Sequence, residues 1–223
     1  MLRKHTLFLL ILILVLIVLL SAVMSVPSDL RLLVLTPKML KYRRLIQQHA
    51  AKQGLDARLV CALIVQESGF DENAQSPVGA QGLTQLMPKT AEELGVRDPL
   101  DAAQNIAGAA RHLRNLYRAF PQSPYEQRHR LVLASYNGGL GRVRDAQALV
   151  RRHEVGNPRL WRPVSVALRQ LTQKHAHIHR EVWESGKPPH GYFQGFNETL
   201  DYVKRVMHYY ERICFYDKLL FFL

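Results

Sequence analysis

The chain has 223 residues, 48% of them hydrophobic and 22% charged, with a formal net charge of +12. That length supports one domain with a proper core, and the composition is that of a globular chain rather than a disordered or collagen-like one. The positive balance favours polyanionic surroundings such as cell-wall polymers or anionic lipid, but the bases are scattered without aromatic interleaving, so no nucleic-acid partner is expected.

Residues 7–20 read LFLLILILVLIVLL behind Arg3, Lys4 and His5. A basic flank before an apolar run is a targeting segment, and residues 1–26 fit either a signal peptide or an uncleaved transmembrane anchor. Both place the rest of the chain on the outer side of the cytoplasmic membrane, because the positive flank stays inside. Residues 27–37, bounded by Pro27 and Pro37, read as a linker, and the domain is expected over 38–215, starting with a helix to about Gln53. The only cysteines are Cys61 and Cys214, and the sequence leaves their pairing open.

The next helix runs from Asp56, a candidate N-cap, to a stop at Gly69. Leu59, Leu63 and Gln66 share one face and Val60, Ile64 and Glu67 an adjoining one. Glu67 thus ends an apolar helix. Desolvation and the helix dipole both disfavour its ionised form, which suits a general acid. A loop punctuated by proline, asparagine and glycine follows to Thr84. Pro88 then opens a short helix to Leu94, with Glu92 and Glu93 on the surface. A long helix capped near Asp101 carries Ile106, Ala109, Leu113 and Leu116 inward, and Pro121–Pro124 breaks it. Another helix runs from about Tyr125 to Ser135, where Tyr136-Asn137-Gly138-Gly139 bends the chain before a helical pattern resumes over 143–150.

Beyond 151 the signals weaken. Trp161-Arg162-Pro163 reads as a turn, with helix from about Val166 to Lys174. His175, His177 and His179 alternate, a spacing that shares a face on a strand and not on a helix, so they are read as surface residues rather than metal ligands. No HExxH, CxxC or Gly-rich phosphate loop occurs, and neither metal nor cofactor is expected. Residues 186–195 read as a loop at a cleft rim, with packing the expected role of Tyr192, Phe193 and Phe196. A last helix spans Glu198–Ile213, and an apolar tail, 216–223, is left to dock on the domain, on membrane or on a partner.

Three motifs go further. The first is Glu67-Ser68, followed by Ser76-Pro77-Val78-Gly79-Ala80-Gln81-Gly82-Leu83-Thr84-Gln85-Leu86-Met87-Pro88. The second is Ala134-Ser135-Tyr136-Asn137-Gly138-Gly139, and the third Glu198-Thr199-Leu200-Asp201-Tyr202-Val203. In this order they resemble the soluble-lytic-transglycosylase-like (SLT) family of peptidoglycan lytic transglycosylases, over about residues 45–212 and weakly between 145 and 195. The resemblance implies a mainly α, lysozyme-like fold of the goose-type and lytic-transglycosylase kind. It implies Glu67 as catalytic acid and base, acting on peptidoglycan glycan strands with formation of a 1,6-anhydromuramyl end.

Ser76, Gln85, Met87 and Tyr136 then take the place of cleft residues that orient the acetamido sugars and Glu67. Asn137 would hold the turn or a sugar. Glu198 and Tyr202 would form the far wall, with Tyr202 donating near Glu67. Thr84 stands where the family usually has Met, so one cleft surface is expected to differ. Asp71 and Glu72 are the candidates for a second carboxylate. Two rival readings stay open: a hydrolytic muramidase of the same fold, and a wall-binding structural component, with a protein partner, of an envelope-spanning assembly. A bacterial cell, with the domain on the periplasmic side of the inner membrane, and a bacteriophage particle both fit as source.

Overall fold

The computed structural model describes residues 29–220, with side chains described to 218. The targeting segment read in 1–26 and the last three residues of the tail lie outside these. Among the described residues no helix is long and apolar enough to cross a membrane.

The chain divides into two compact units, the first ending at Lys41 and the second starting at Tyr42. Helix α1 occupies 29–53. The linker read over 27–37 is therefore helical from residue 29. Its sequence explains this: Leu32, Leu35 and Met39 repeat at spacings of three and four and are buried. Pro37 costs one helical hydrogen bond and does not end the helix.

In the second unit the helices are α2 (Ala57–Glu67), α3 (Pro88–Glu93), α4 (Ala102–Arg118), α5 (Tyr125–Gly138), α6 (Leu140–Arg152), α7 (Trp161–Gln170), α8 (Ala176–His179) and α9 (Phe196–Leu220). Among the described residues β pairing is limited to isolated bridges, Gln75 with Gln81 and Gln81 with Leu86. The fold is mainly α.

Helix α2 is its axis. Seven consecutive residues, Leu59 to Val65, are buried, so the helix is covered all round rather than on two faces. It packs against α9, which also packs against α5 and α7. Asp56 caps α2 by accepting from the Arg58 amide, and Gly69, at φ 58°, closes it by donating its amide hydrogen bond to the Ile64 carbonyl. Asp101 caps α4 in the same manner, accepting from the Gln104 amide at 2.8 Å.

Several elements differ from their sequence reading. Helix α5 continues through Tyr136 and Asn137 to Gly138, and the bend falls at Gly139, at φ 91°. Trp161-Arg162-Pro163 begins α7 instead of forming a turn, because a proline in the first helical turn lacks only an amide that has no partner there. His179 is fully buried and bonds through Nε2 to the Gln170 carbonyl at 2.8 Å, so it is a core histidine and not a surface one. Of the apolar tail, residues 216–220 continue helix α9. Cys61, buried in α2, and Cys214, in α9, are free thiols.

The loop over 186–195 is irregular, as read. It is pinned by His190, whose amide and Nδ1 both reach the buried Asp145 carboxylate at 3.0 Å, and by the Phe193 amide on the Leu171 carbonyl at 2.7 Å. Phe193 is buried, with the Arg142 guanidinium 4.9 Å from its ring centre.

Candidate active site

Helix α2 ends on Glu67, and the chain then loops from Ser68 to Met87 before α3. Three devices fix that loop. Its own backbone forms tight pairs: the Ser76 and Ala80 backbones bond at 2.9 Å, and Gln81 and Leu86 exchange two bonds of 3.0 Å. The Ser68 hydroxyl donates to the Leu83 carbonyl at 2.8 Å, tying the far limb of the loop to the residue next to Glu67.

The third device is Asn105, fully buried on α4. Its Oδ1 accepts from the Thr84 amide at 2.9 Å and from the Thr84 hydroxyl at 2.7 Å. Its Nδ2 donates to the carbonyls of Gln81 and Pro99, at 3.0 and 2.8 Å. Gly82 is required beside it: φ is 75°, and a Cβ there would lie 2.2 Å from the Pro99 oxygen and 2.5 Å from Asn105 Nδ2. Thr84 is itself fully buried. It therefore forms no part of a cleft surface, contrary to the sequence reading; its hydroxyl exists to meet Asn105.

Glu67, Tyr136 and Tyr202 form the centre. The Tyr202 hydroxyl donates to Glu67 Oε1 at 2.6 Å. The Tyr136 hydroxyl donates to the Thr84 carbonyl at 2.8 Å, joining α5 to the same loop. Burial pushes the Glu67 carboxyl up from 4.5 to about 7, against the opposing effect of the Tyr202 hydrogen bond. Burial, then proximity to Glu67, raises both tyrosines, so they stay protonated as donors.

Asp71 and Glu72, the candidates for a second carboxylate, each have a partner of their own. The Asp71 carboxylate accepts from the Asn73 amide at 3.0 Å, and Glu72 accepts a hydrogen bond from Tyr42. Among the described residues no group of three or more histidines, cysteines or carboxylates is placed to hold a metal.

The other candidate residues fall around this centre with different employments. The Ser76 hydroxyl accepts from the Ala80 amide at 2.9 Å. Gln85 sits at φ 49°, a strained value for a side-chain-bearing residue, held by its Nε2 bonds to the carbonyls of Ala74 and Gly82 at 3.0 and 2.9 Å. Both act on the loop itself. Met87 is exposed. Asn137 is exposed too, and its Oδ1 accepts from the buried Thr199 hydroxyl at 2.6 Å, which joins the end of α5 to the start of α9. Glu198 is exposed in the first turn of α9, four residues ahead of Tyr202.

Two residues were missed. Asn105 stands on the inner face of a helix, where a buried amide leaves no periodic signal. His112 packs its ring on Tyr136, centres 5.2 Å apart, and burial lowers its pKa. Together with Tyr136, Asn137, Thr90, Asn115 and Arg142 it lines a groove of about 420 Å³.

A mainly α domain with a raised-pKa carboxyl at the end of its buried helix, over a strapped loop, is a lysozyme-like arrangement. The profile of the transglycosylase SLT domain matches residues 44–156, and the chain belongs to that family. It is 37% identical over 181 residues to a membrane-bound lytic murein transglycosylase F of Shewanella pealeana, covering 81% of this chain and 35% of that one. With a protein of the same description from Desulfosudis oleivorans it shares 38% identity over 173 residues, covering 77% and 36%. The crystal structure of the 70 kDa soluble lytic transglycosylase of Escherichia coli superposes with a TM-score of 0.51 at 25% identity, covering 78% of this chain and 24% of that one. The chain thus spans about a third of the length of the curated relatives it matches.

Proposed function

We propose that the domain is a peptidoglycan lytic transglycosylase. The observation that carries this is Glu67: a carboxyl raised to about 7 by burial, with a tyrosine donor on it. An internal nucleophile needs only one acid that then becomes a base, and a buried carboxyl with a hydroxyl donor suits both states.

In this reading protonated Glu67 gives its proton to the glycosidic oxygen between N-acetylmuramic acid and N-acetylglucosamine, and the bond to the muramyl anomeric carbon breaks. The carboxylate left behind is stabilised by the Tyr202 hydroxyl. It then takes the proton from the muramyl 6-hydroxyl as that oxygen bonds to the anomeric carbon. The product is a 1,6-anhydromuramyl end, no water is consumed, and Glu67 is again protonated. The acetamido group of the same sugar supports the developing cation.

The strapped loop and Tyr136 position the sugar against Glu67. Met87 and Asn137, both exposed, contact glycan directly, and the exposed Glu198 forms the far wall with Tyr202. Ser76 and Gln85 contribute by holding the loop in its strained form. The targeting pattern of residues 1–26, and relatives named as membrane-bound, support a domain held at the outer face of the cytoplasmic membrane. Release of soluble muropeptides from purified sacculi tests the assignment: the wild-type chain releases them and Glu67→Gln does not. Binding to sacculi without any release by wild type would favour the structural role instead.

A further inference from the structure

The first three turns of α1 are apolar on two sides. Leu32, Leu35 and Met39 are buried and belong to the fold. Leu30, Leu33, Val34 and Leu40 are exposed, at 54%, 68%, 68% and 49%. At 3.6 residues per turn these four, with the exposed Pro37, fall within one arc of about 120°. Among the described residues the other exposed large apolar side chains stand singly along the chain, which is ordinary for a protein surface. A continuous exposed stripe is not ordinary and marks a surface that something covers.

Three features say what covers it. The first is reach. The apolar run 7–20 ends ten residues before Leu30. Even fully extended, that tether is at most about 35 Å long, so a chain anchored by the run keeps the stripe close to the membrane.

The second is charge. Over residues 27–41 the charged side chains are Arg31, Lys38 and Lys41, against Asp29 alone. All three bases are exposed, and Arg31 and Lys38 border the stripe along the same edge. An apolar stripe edged with bases is the pattern of a helix that lies on anionic lipid.

The third is depth. Pro37 has no amide to give the Leu33 carbonyl one turn earlier, on the exposed side of the helix. A carbonyl so placed needs water or a headgroup, which sets the stripe at the interface rather than in the hydrocarbon core.

We infer, on the membrane placement of the targeting segment proposed above, that the first three turns of α1 lie in the plane of the membrane's outer face. Leu30, Leu33, Val34 and Leu40 enter the boundary between headgroups and acyl chains, and Arg31, Lys38 and Lys41 meet the phosphates of anionic lipid. Helix α1 is then a second membrane contact, separate from the targeting run.

The test uses the full chain in vesicles of phosphatidylethanolamine and phosphatidylglycerol, with Cys214→Ser and the buried Cys61 kept. A nitroxide label is attached singly at Leu30→Cys, Leu33→Cys, Val34→Cys or Leu40→Cys. Val166→Cys, at an exposed apolar position of α7, is the comparison. Collision with oxygen and with a water-soluble nickel complex gives the depth of each label. The four α1 labels are expected at one common depth, about 5–10 Å below the phosphates, and the Val166 label in water. Replacing phosphatidylglycerol with phosphatidylcholine, or Arg31 and Lys38 with Gln, is expected to shift the α1 labels toward water.

Depths that change by about 1.5 Å per residue from 30 to 40 would mean an upright helix. Nickel-accessible α1 labels would mean a stripe facing water. Labels hidden from both reagents and broadened by one another would mean a second copy on the stripe. Equal depths on both lipids would remove the role of anionic lipid. Each result would overturn the inference. Flotation of the same vesicles separates its failure from that of the membrane placement: a chain that floats with water-facing labels loses only the in-plane helix, and one that does not float loses both.

Discussion

The Tyr202 hydroxyl donates to Glu67 Oε1 at 2.6 Å, joining residues 135 apart in the chain. This contact brings the last helix onto the end of the central one. It also favours the ionised carboxylate against the burial that disfavours it. In the proposed cycle Glu67 is ionised between its two proton transfers, so Tyr202 acts on the intermediate. Tyr202→Phe is expected to lower kcat by about tenfold to a hundredfold, the range for a hydrogen bond to a charged group. It should also move the alkaline limb of the rate profile to higher pH, because the carboxyl loses the donor that held its pKa down. Rate against pH for both proteins checks this; a lowered rate with an unmoved limb would assign Tyr202 a packing role only.

The raised pKa of Glu67 also sets a pH dependence. The acid form starts the reaction, so activity is expected to fall as pH rises through about 7. Stability follows the same group with a definite sign. A carboxyl whose folded pKa lies above its unfolded value binds more protons in the native state, so stability falls as pH rises between the two. The cost of ionising Glu67 is absent below about 4.5 and complete above about 7, and amounts to ~3 kcal/mol. Glu67→Gln should therefore melt above wild type at pH 8, with the gap closing by pH 4.5. Thermal melts across that range decide it.

Asn105 and Thr84 are expected to matter for stability in unequal degree. Asn105→Ala leaves the Thr84 amide and hydroxyl without their acceptor and the carbonyls of Gln81 and Pro99 without their donor, and should cost about 2–4 kcal/mol with a large loss of activity. Thr84→Val removes one of these bonds and keeps the shape, so about 1 kcal/mol is expected, with KM for glycan unchanged because the side chain is fully buried. Denaturant melts and steady-state kinetics measure both. A raised KM in Thr84→Val would return that residue to the cleft surface.

Gly82→Ala is expected to be among the most damaging small changes in the chain. A Cβ would sit 2.2 Å from the Pro99 oxygen, at a positive φ that side chains rarely adopt. Gly95, also at positive φ but with open space around it, provides the control. Its alanine variant should lose about 1 kcal/mol from backbone strain, and Gly82→Ala clearly more, in paired melting experiments.

Much of this arrangement was legible in the sequence where local chemistry decides structure. Asp56, Gly69, Pro88 and Asp101 marked helix ends correctly because caps and stops act within a few residues. Glu67 stood out because it ends an apolar helix, and the motif resemblance joined it to Tyr202 across the chain. What stayed hidden depends on tertiary packing. Prolines misled at both Pro37 and Pro163, since a proline can occupy a helix whose apolar stripe continues past it. The burial of Thr84 could not be read, because its reason, Asn105, lies on a helix that only the fold brings alongside. The burial of His179 was hidden for the same reason: its carbonyl partner, Gln170, ends helix α7, which only the fold brings alongside.

The most direct test of the central claim is the mass of the released product. Wild-type protein acting on purified sacculi in ¹⁸O-labelled water is expected to release 1,6-anhydromuropeptides that carry no label, and Glu67→Gln to release none. Muropeptides one water heavier and bearing the label would show that water, not the muramyl 6-hydroxyl, is the nucleophile, and would contradict the mechanism proposed for Glu67.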